Sequence, residues 1–260
     1  LRKLLFALLV ITFLCASAVA EDLVIAASAN TAPVVKELAT AFEARSGDRV
    51  KISLAASGTL YSQILNGAPF DVFLSADEDY PLRLEQAGLT VPATRRVYAI
   101  GRLVLWARED SGLDVEKLRI ETLVAPKARH VAIANPERAP YGAAAIQTLR
   151  HYGIYEKVQS RLVFGDSLAQ AAQFVESGAA DVGFIGLSLV LSAPMNGKGA
   201  YWLVPEDAHE PIRQAVVILK RGPQDRSLAR RFLEFLLGPD GRSALVKNGY
   251  ALPDVAENRP

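Results

Sequence analysis

Ser28 and Ser57 stand at matching places, each where an apolar strand-like run gives way to a helix-like one. The first run is Leu23-Val24-Ile25-Ala26-Ala27, and the residues after Ser28 are small until Pro33. Apolar residues then recur at Val34, Val35, Leu38, Ala39 and Phe42, the spacing of one helix face. Pro33 suits a first helical turn, where its missing N–H is no loss. The second unit is Val50-Lys51-Ile52-Ser53-Leu54, then Ala55-Ala56-Ser57-Gly58-Thr59, then Leu60 to Leu65 with Gly67 behind. A helix N-terminus leaves backbone N–H groups unpaired and carries a partial positive charge. Small residues there let a ligand approach the backbone. The chemistry this pattern suits is capture of an anion by hydroxyl and N–H donors. An ordinary turn capped by Ser28 or Thr31 explains the first stretch alone at least as well. The decision rests on whether other stretches repeat it.

Other chemistries find little in the chain. His130, His151 and His209 form no H-x-x-x-H or other metal-ligand spacing. Ala56-Ser57-Gly58 lacks the flanking glycines of a nucleophile elbow. Walker-type and dinucleotide-type glycine loops are absent. Asp71, Asp77 and Asp181 fall at strand ends or helix starts, where capping accounts for them. Trp106 and Trp202 read as core or lobe-edge aromatics.

The elements that would position the serines continue along the chain. Asp71 to Ala76 is a third strand, and a helix follows to Gly88. Val97 to Trp106 is a longer apolar run, broken at Gly101-Arg102, that crosses to a second α/β series. There, strands at 130–134, 162–164 and 181–185 alternate with helices, and Tyr141 and Leu168 open two of those helices. A strand at 215–219, placed back in the first lobe, and two helices close the chain. Strands alternating with helices predict an α/β fold with parallel sheets. Ligands of such sheets bind outside the carboxyl ends of the strands. Four turns are therefore candidates for one shared cleft, around Ser28, Ser57, Tyr141 and Leu168.

Length and composition set the frame. The 260 residues are half hydrophobic, enough for one large or two modest domains. Leu1-Arg2-Lys3, an apolar run to Cys15 and Ala18-Val19-Ala20 read as a cleavable signal peptide over residues 1–20. Its removal takes Lys+Arg from 29 to 27 against 28 acids, a net charge of −1, and removes Cys15, the single cysteine. No disulfide or thiolate chemistry is then expected. Scattered charges near neutrality carry no nucleic-acid footprint. Export without an anchor points to the periplasm.

Lined up, these turns resemble the periplasmic molybdate-binding proteins of ABC importers. The residues that carry the resemblance are Ala26-Ala27-Ser28, Ala55 to Tyr61, and Asn66 to Asp77. Tyr98 to Trp106, Asn135-Pro136 with Ala139-Pro140-Tyr141-Gly142, Gly178 to Phe184 and Lys247-Asn248-Gly249-Tyr250 agree, in order, over nearly the whole mature chain. The resemblance implies a two-lobed type II periplasmic binding protein, α/β, with two crossover strands. Lobe one would be 22–102 plus 213–260, and lobe two 103–212. It implies a molybdate or tungstate dianion held by neutral donors: Ser28 and Ser57 by hydroxyl and N–H, Tyr141 and Leu168 by N–H. Some members add a tyrosine hydroxyl where this chain has Gly186; the Tyr141 hydroxyl or the Ala29 N–H is the expected replacement. No direct metal ligand, no cofactor and no catalysis are expected. The implied partner of this monomer is an ABC permease with its ATPase. A binder of sulfate or phosphate, or a secreted α/β hydrolase or transferase, are the alternatives.

Overall fold

The structure, a computed structural model, describes residues 22–220 and 226–254. The expected leader, 1–20, lies outside the described residues. β1 (Asp22–Ser28) passes through a 3-10 turn, Ala29–Thr31, into α1 (Ala32–Ser46). Pro33 lies in the first turn of α1, and Gly47, at φ 78°, ends it in the left-handed region that favours glycine. β2 (Arg49–Ala55), α2 (Ser57–Leu65), β3 (Val72–Leu74), α3 (Asp79–Gln86) and β4 (Arg96–Gly101) follow. The second lobe holds β5 (Leu103–Arg108), α4 (Val115–Leu118), β6 (Val131–Ala134), α5 (Pro140–His151), α6 (Tyr155–Val158), β7 (Leu162–Gly165), α7 (Leu168–Ser177), β8 (Val182–Gly186), α8 (Leu187–Val190) and β9 (Gly199–Leu203). β10 (Ile212–Ile218), α9 (Ser227–Leu237) and α10 (Pro239–Lys247) return to the first lobe.

Among the described residues two five-stranded sheets result, ordered β2-β1-β3-β10-β4 and β7-β6-β8-β5-β9. In the first, β1 lies between β2 and β3, all parallel. The chain therefore winds to one side of β1 through α1 and to the other through α2. The second sheet repeats this around β6, with parallel neighbours β7 and β8. Each sheet thus has a topological switch point, where the crevice beyond the strand ends accepts ligands.

Both sheets are mixed, which corrects the expectation of parallel ones. β10 runs antiparallel to β3 and β4, and β5 runs antiparallel to β8 and β9. The cause is the way the chain changes lobes. Arg102 alone separates β4 from β5, and residues 204–211 separate β9 from β10. A strand entering a lobe by so short a link starts at the cleft and runs away from it, against strands that end there. Parallel neighbours would need a long crossover.

Apolar packing follows the sheets. β1, α1, β10, α9 and α10 share one core through Leu23, Ile25, Val35, Phe42, Ile218 and Phe232. A second core fills lobe two around Trp106, Ile133, Leu149 and Phe184, and it takes in Ala56 and Ala76 from lobe one. The two lobes therefore touch through buried small residues, and the cleft between them is closed. Among the described residues no helix is long and apolar enough to cross a membrane.

Candidate functional site

Each proposed donor sits where its local sequence starts a helix. Ser28 ends β1 and precedes the 3-10 turn, whose Thr31 hydroxyl donates to the Ser28 carbonyl at 2.7 Å. Ser57 is the first residue of α2, behind the extended Ala56. Pro140 starts α5 after an extended Ala139, which makes Tyr141 the second residue of that helix. Ser167 caps α7 by accepting from the Gln170 N–H at 3.3 Å, so Leu168 opens its first turn. The first N–H groups of a helix have no partner inside it. Exposure runs only from 0% at Ser57 to 4% at Ser28 and Ala29, with Tyr141 at 2% and Leu168 at 3%.

The structure brings these turns together from both lobes. The Ser57 hydroxyl lies 3.1 Å from that of Ser28, and either can donate in such a pair. Ser57 Oγ also accepts from the Ala76 N–H at 2.9 Å, which ties α2 to the end of β3. The Ala29–Thr31 turn packs against α7 and α8 of the opposite lobe. Ser188 of α8 donates to the Asn30 carbonyl at 2.9 Å. At Gly186 a side chain would start 3.1 Å from Leu168 Cδ2 and 3.3 Å from Tyr141 Cε1. Gly186, Leu168 and Tyr141 thus form one wall. On the other flank the Gly58 N–H donates to the Arg138 carbonyl at 2.9 Å, and the Tyr80 hydroxyl to the Glu137 carbonyl at 3.3 Å. Ser28, Ser57, Tyr141 and Leu168 are themselves uncharged, and at these helix starts they offer hydroxyls and first-turn main chain.

Several residues of this region were not singled out as functional in the sequence. Behind the donors lies a buried polar cluster of Asn30, Tyr98, Tyr141, Gln214 and Tyr250. Gln214 donates from Nε2 to the Tyr141 hydroxyl at 3.1 Å and accepts at Oε1 from Asn30 Nδ2 and the Tyr98 hydroxyl, both at 2.9 Å. The Tyr250 hydroxyl donates to the Asn30 carbonyl at 2.9 Å. Burial first of all pushes the hydroxyls of Tyr98, Tyr141 and Tyr250 up in pKa, which keeps them neutral and able to donate. The Tyr141 hydroxyl is thereby engaged on the hinge side, against Gln214. The one signal in the sequence is a glutamine just ahead of the apolar Ala215-Val216-Val217 run.

Asp77 marks the rim of the cleft. Its carboxylate accepts from the Ser75 hydroxyl at 3.0 Å and the Tyr80 N–H at 3.1 Å, yet loss of hydration dominates and raises its pKa to about 6. A carboxyl whose folded pKa lies above its ordinary 3.8 binds its proton more tightly in the fold. The penalty for ionising it is absent below pH 3.8 and complete above pH 6. Asp77→Asn keeps an acceptor oxygen and removes that penalty. It is expected to be more stable than wild type by about 1–3 kcal/mol at pH 8, with the gain gone at pH 4. Urea unfolding at the two pH values checks this; a gain at pH 4 as large as at pH 8 would refute it.

Among the described residues no cluster of three or more His, Cys, Asp or Glu side chains could hold a metal ion. Two α/β lobes, two chain crossings and a shared buried seam of helix N-termini define a two-lobed ligand-binding protein of the periplasmic type. Family comparison gives the narrower assignment: residues 23–251 match the bacterial extracellular solute-binding proteins, and the chain belongs to that family. It is 43% identical over 238 residues to the molybdate-binding protein ModA of Azotobacter vinelandii, covering 92% of each chain. It is 39% identical over 246 residues to ModA of Rhodobacter capsulatus, covering 94% of each. The solved periplasmic molybdate-binding protein of Azotobacter vinelandii superposes with a TM-score of 0.83 at 38% identity, over 89% of this chain and all of that one.

Proposed function

We propose that this chain captures molybdate or tungstate in the periplasm and hands it to an ABC permease driven by its ATPase. The observation that carries the reading is the buried meeting of four uncharged helix starts from two lobes, at Ser28 with Ala29, Ser57, Tyr141 and Leu168. A buried dianion normally demands compensation. Fixed N–H dipoles and hydroxyls spread it over several groups, each hydrogen bond to a charged partner contributing roughly 1.5–3 kcal/mol. With the Tyr141 hydroxyl turned to Gln214, the Ala29 N–H is the group assigned to the place that Gly186 leaves without a tyrosine. A site built of donors rejects protonated oxyanions, since their proton would find no acceptor. Size then separates molybdate from sulfate. Sequence identities of 43% and 39% to proteins named for molybdate binding support the same choice of ligand. The protein works as a monomer, holds no resident cofactor and catalyses no reaction.

Competition calorimetry with molybdate, tungstate and sulfate is the test. Molybdate and tungstate should bind and sulfate should fail to displace them. Small-angle scattering of the same samples should show compaction on binding, as for hinged two-lobed binders. Tight binding of sulfate, or no heat with any of the three, would overturn the reading.

A further inference from the structure

Gln214 is fully buried in the strand by which the chain re-enters lobe one. The pairing of β10 with β4 slips between Gln214 and Ala215. The slip leaves Tyr98 of β4 without a ladder partner, between Ala99 opposite Gln214 and Val97 opposite Ala215, and the Tyr98 hydroxyl donates to the Gln214 amide. The amide then uses both of its ends. Nε2 reaches Tyr141 in lobe two, while Oε1 takes Asn30 and Tyr98 of lobe one. Asn30 stands two residues after Ser28, and Tyr141 supplies one of the proposed N–H donors. Gly101, in the other crossing, leaves room for this arrangement: a side chain there would start 2.8 Å from Gln214 Nε2, and Tyr141 Oη also occupies that space.

We propose that Gln214 is a positioning residue that bolts the closed state, joining the donor turns of the two lobes behind the ligand. The inference rests on the oxyanion reading above. A glutamine is suited to the task because one planar group donates to one lobe and accepts from the other. Opening the hinge separates Tyr141 from Asn30 and breaks at least one of these bonds. Their free energy therefore favours closure and slows release, and a ligand bound only in the closed form gains apparent affinity.

The test is a double-mutant cycle read by molybdate titration and stopped-flow release. Gln214→Leu removes all three bonds at similar size. Tyr141→Phe removes only the hydroxyl and keeps the backbone N–H. Each is expected to raise Kd roughly 5- to 50-fold. The change should lie in faster release, with association nearly unaltered. The double variant should be no worse than the poorer single one, because both cut the same link. Wild-type release in Tyr141→Phe, or fully additive losses, would overturn the bolt even if Gln214→Leu folded poorly. A wild type that ignores molybdate would instead remove the functional reading, and the bolt with it.

Discussion

Gly58→Ala is expected to raise the molybdate Kd roughly 5- to 150-fold without lowering the melting temperature of the free protein. Gly58 is the second residue of α2, and its N–H meets the Arg138 carbonyl across the cleft at 2.9 Å. A Cβ there would start 2.6 Å from the Tyr80 hydroxyl and 3.1 Å from Arg138 Cα. The tyrosine end can swing aside, but the Arg138 backbone yields only if the lobes part. Within a helix, alanine is otherwise favoured over glycine by about 1 kcal/mol. The substitution therefore leaves lobe one intact and acts on the closed state alone. Calorimetry and thermal melting, run together, separate the two effects. Wild-type affinity would sink the claim, and a matched loss of melting temperature would move the effect to folding.

Ser57→Ala is the second large effect. In the proposed site its hydroxyl has two duties, one toward the oxyanion and one, seen in the structure, toward the buried Ala76 N–H. Loss of the ligand donor costs about 1–3 kcal/mol, roughly 5- to 150-fold in affinity. Loss of the acceptor leaves a buried N–H unpaired, for a further ~1–3 kcal/mol of stability. Ser28→Ala removes a hydroxyl donor but orphans no such N–H, so it should weaken binding while the protein melts nearly as before. The two losses need not add, because the hydroxyls are neighbours and serve one ligand. Isothermal titration with molybdate and a thermal melt decide the matter. If both serine variants bind like wild type while neutralising one Arg or Lys abolishes binding, the neutral-donor site is wrong.

Local signals made the donor turns readable. A strand, a few small residues and a Pro or Ser before a helical spacing mark β1 to α1, β2 to α2 and Ala139 to α5 without knowledge of their neighbours. The break at Gly101-Arg102 marked the first crossing because a long apolar run cannot continue as one strand through it. What stayed hidden depends on long-range pairing. Nothing local states that β10 opposes β3, so the mixed sheets could not be read. Gln214, Asn30 and Tyr98 look like stray polar residues until the hinge puts them side by side. The tightness at Gly58 also needs a partner 80 positions away, Arg138, to become visible. Leu168 was placed at a helix start by Gly165-Asp166-Ser167, but its companionship with Gly186 is purely tertiary.

The seam between the lobes is written largely in main-chain atoms. Arg138, Glu137 and Asn30 each offer a carbonyl to the opposite lobe, and the side chains of Glu137 and Arg138 point into water. Those two side chains can be exchanged without touching the bonds that close the cleft. Once the expected leader with Cys15 is gone, no thiol competes for a label. Arg138→Cys carrying an environment-sensitive dye would then sit beside the moving edge, reporting on closure as light, and the protein becomes an optical gauge for trace metal oxyanions in water.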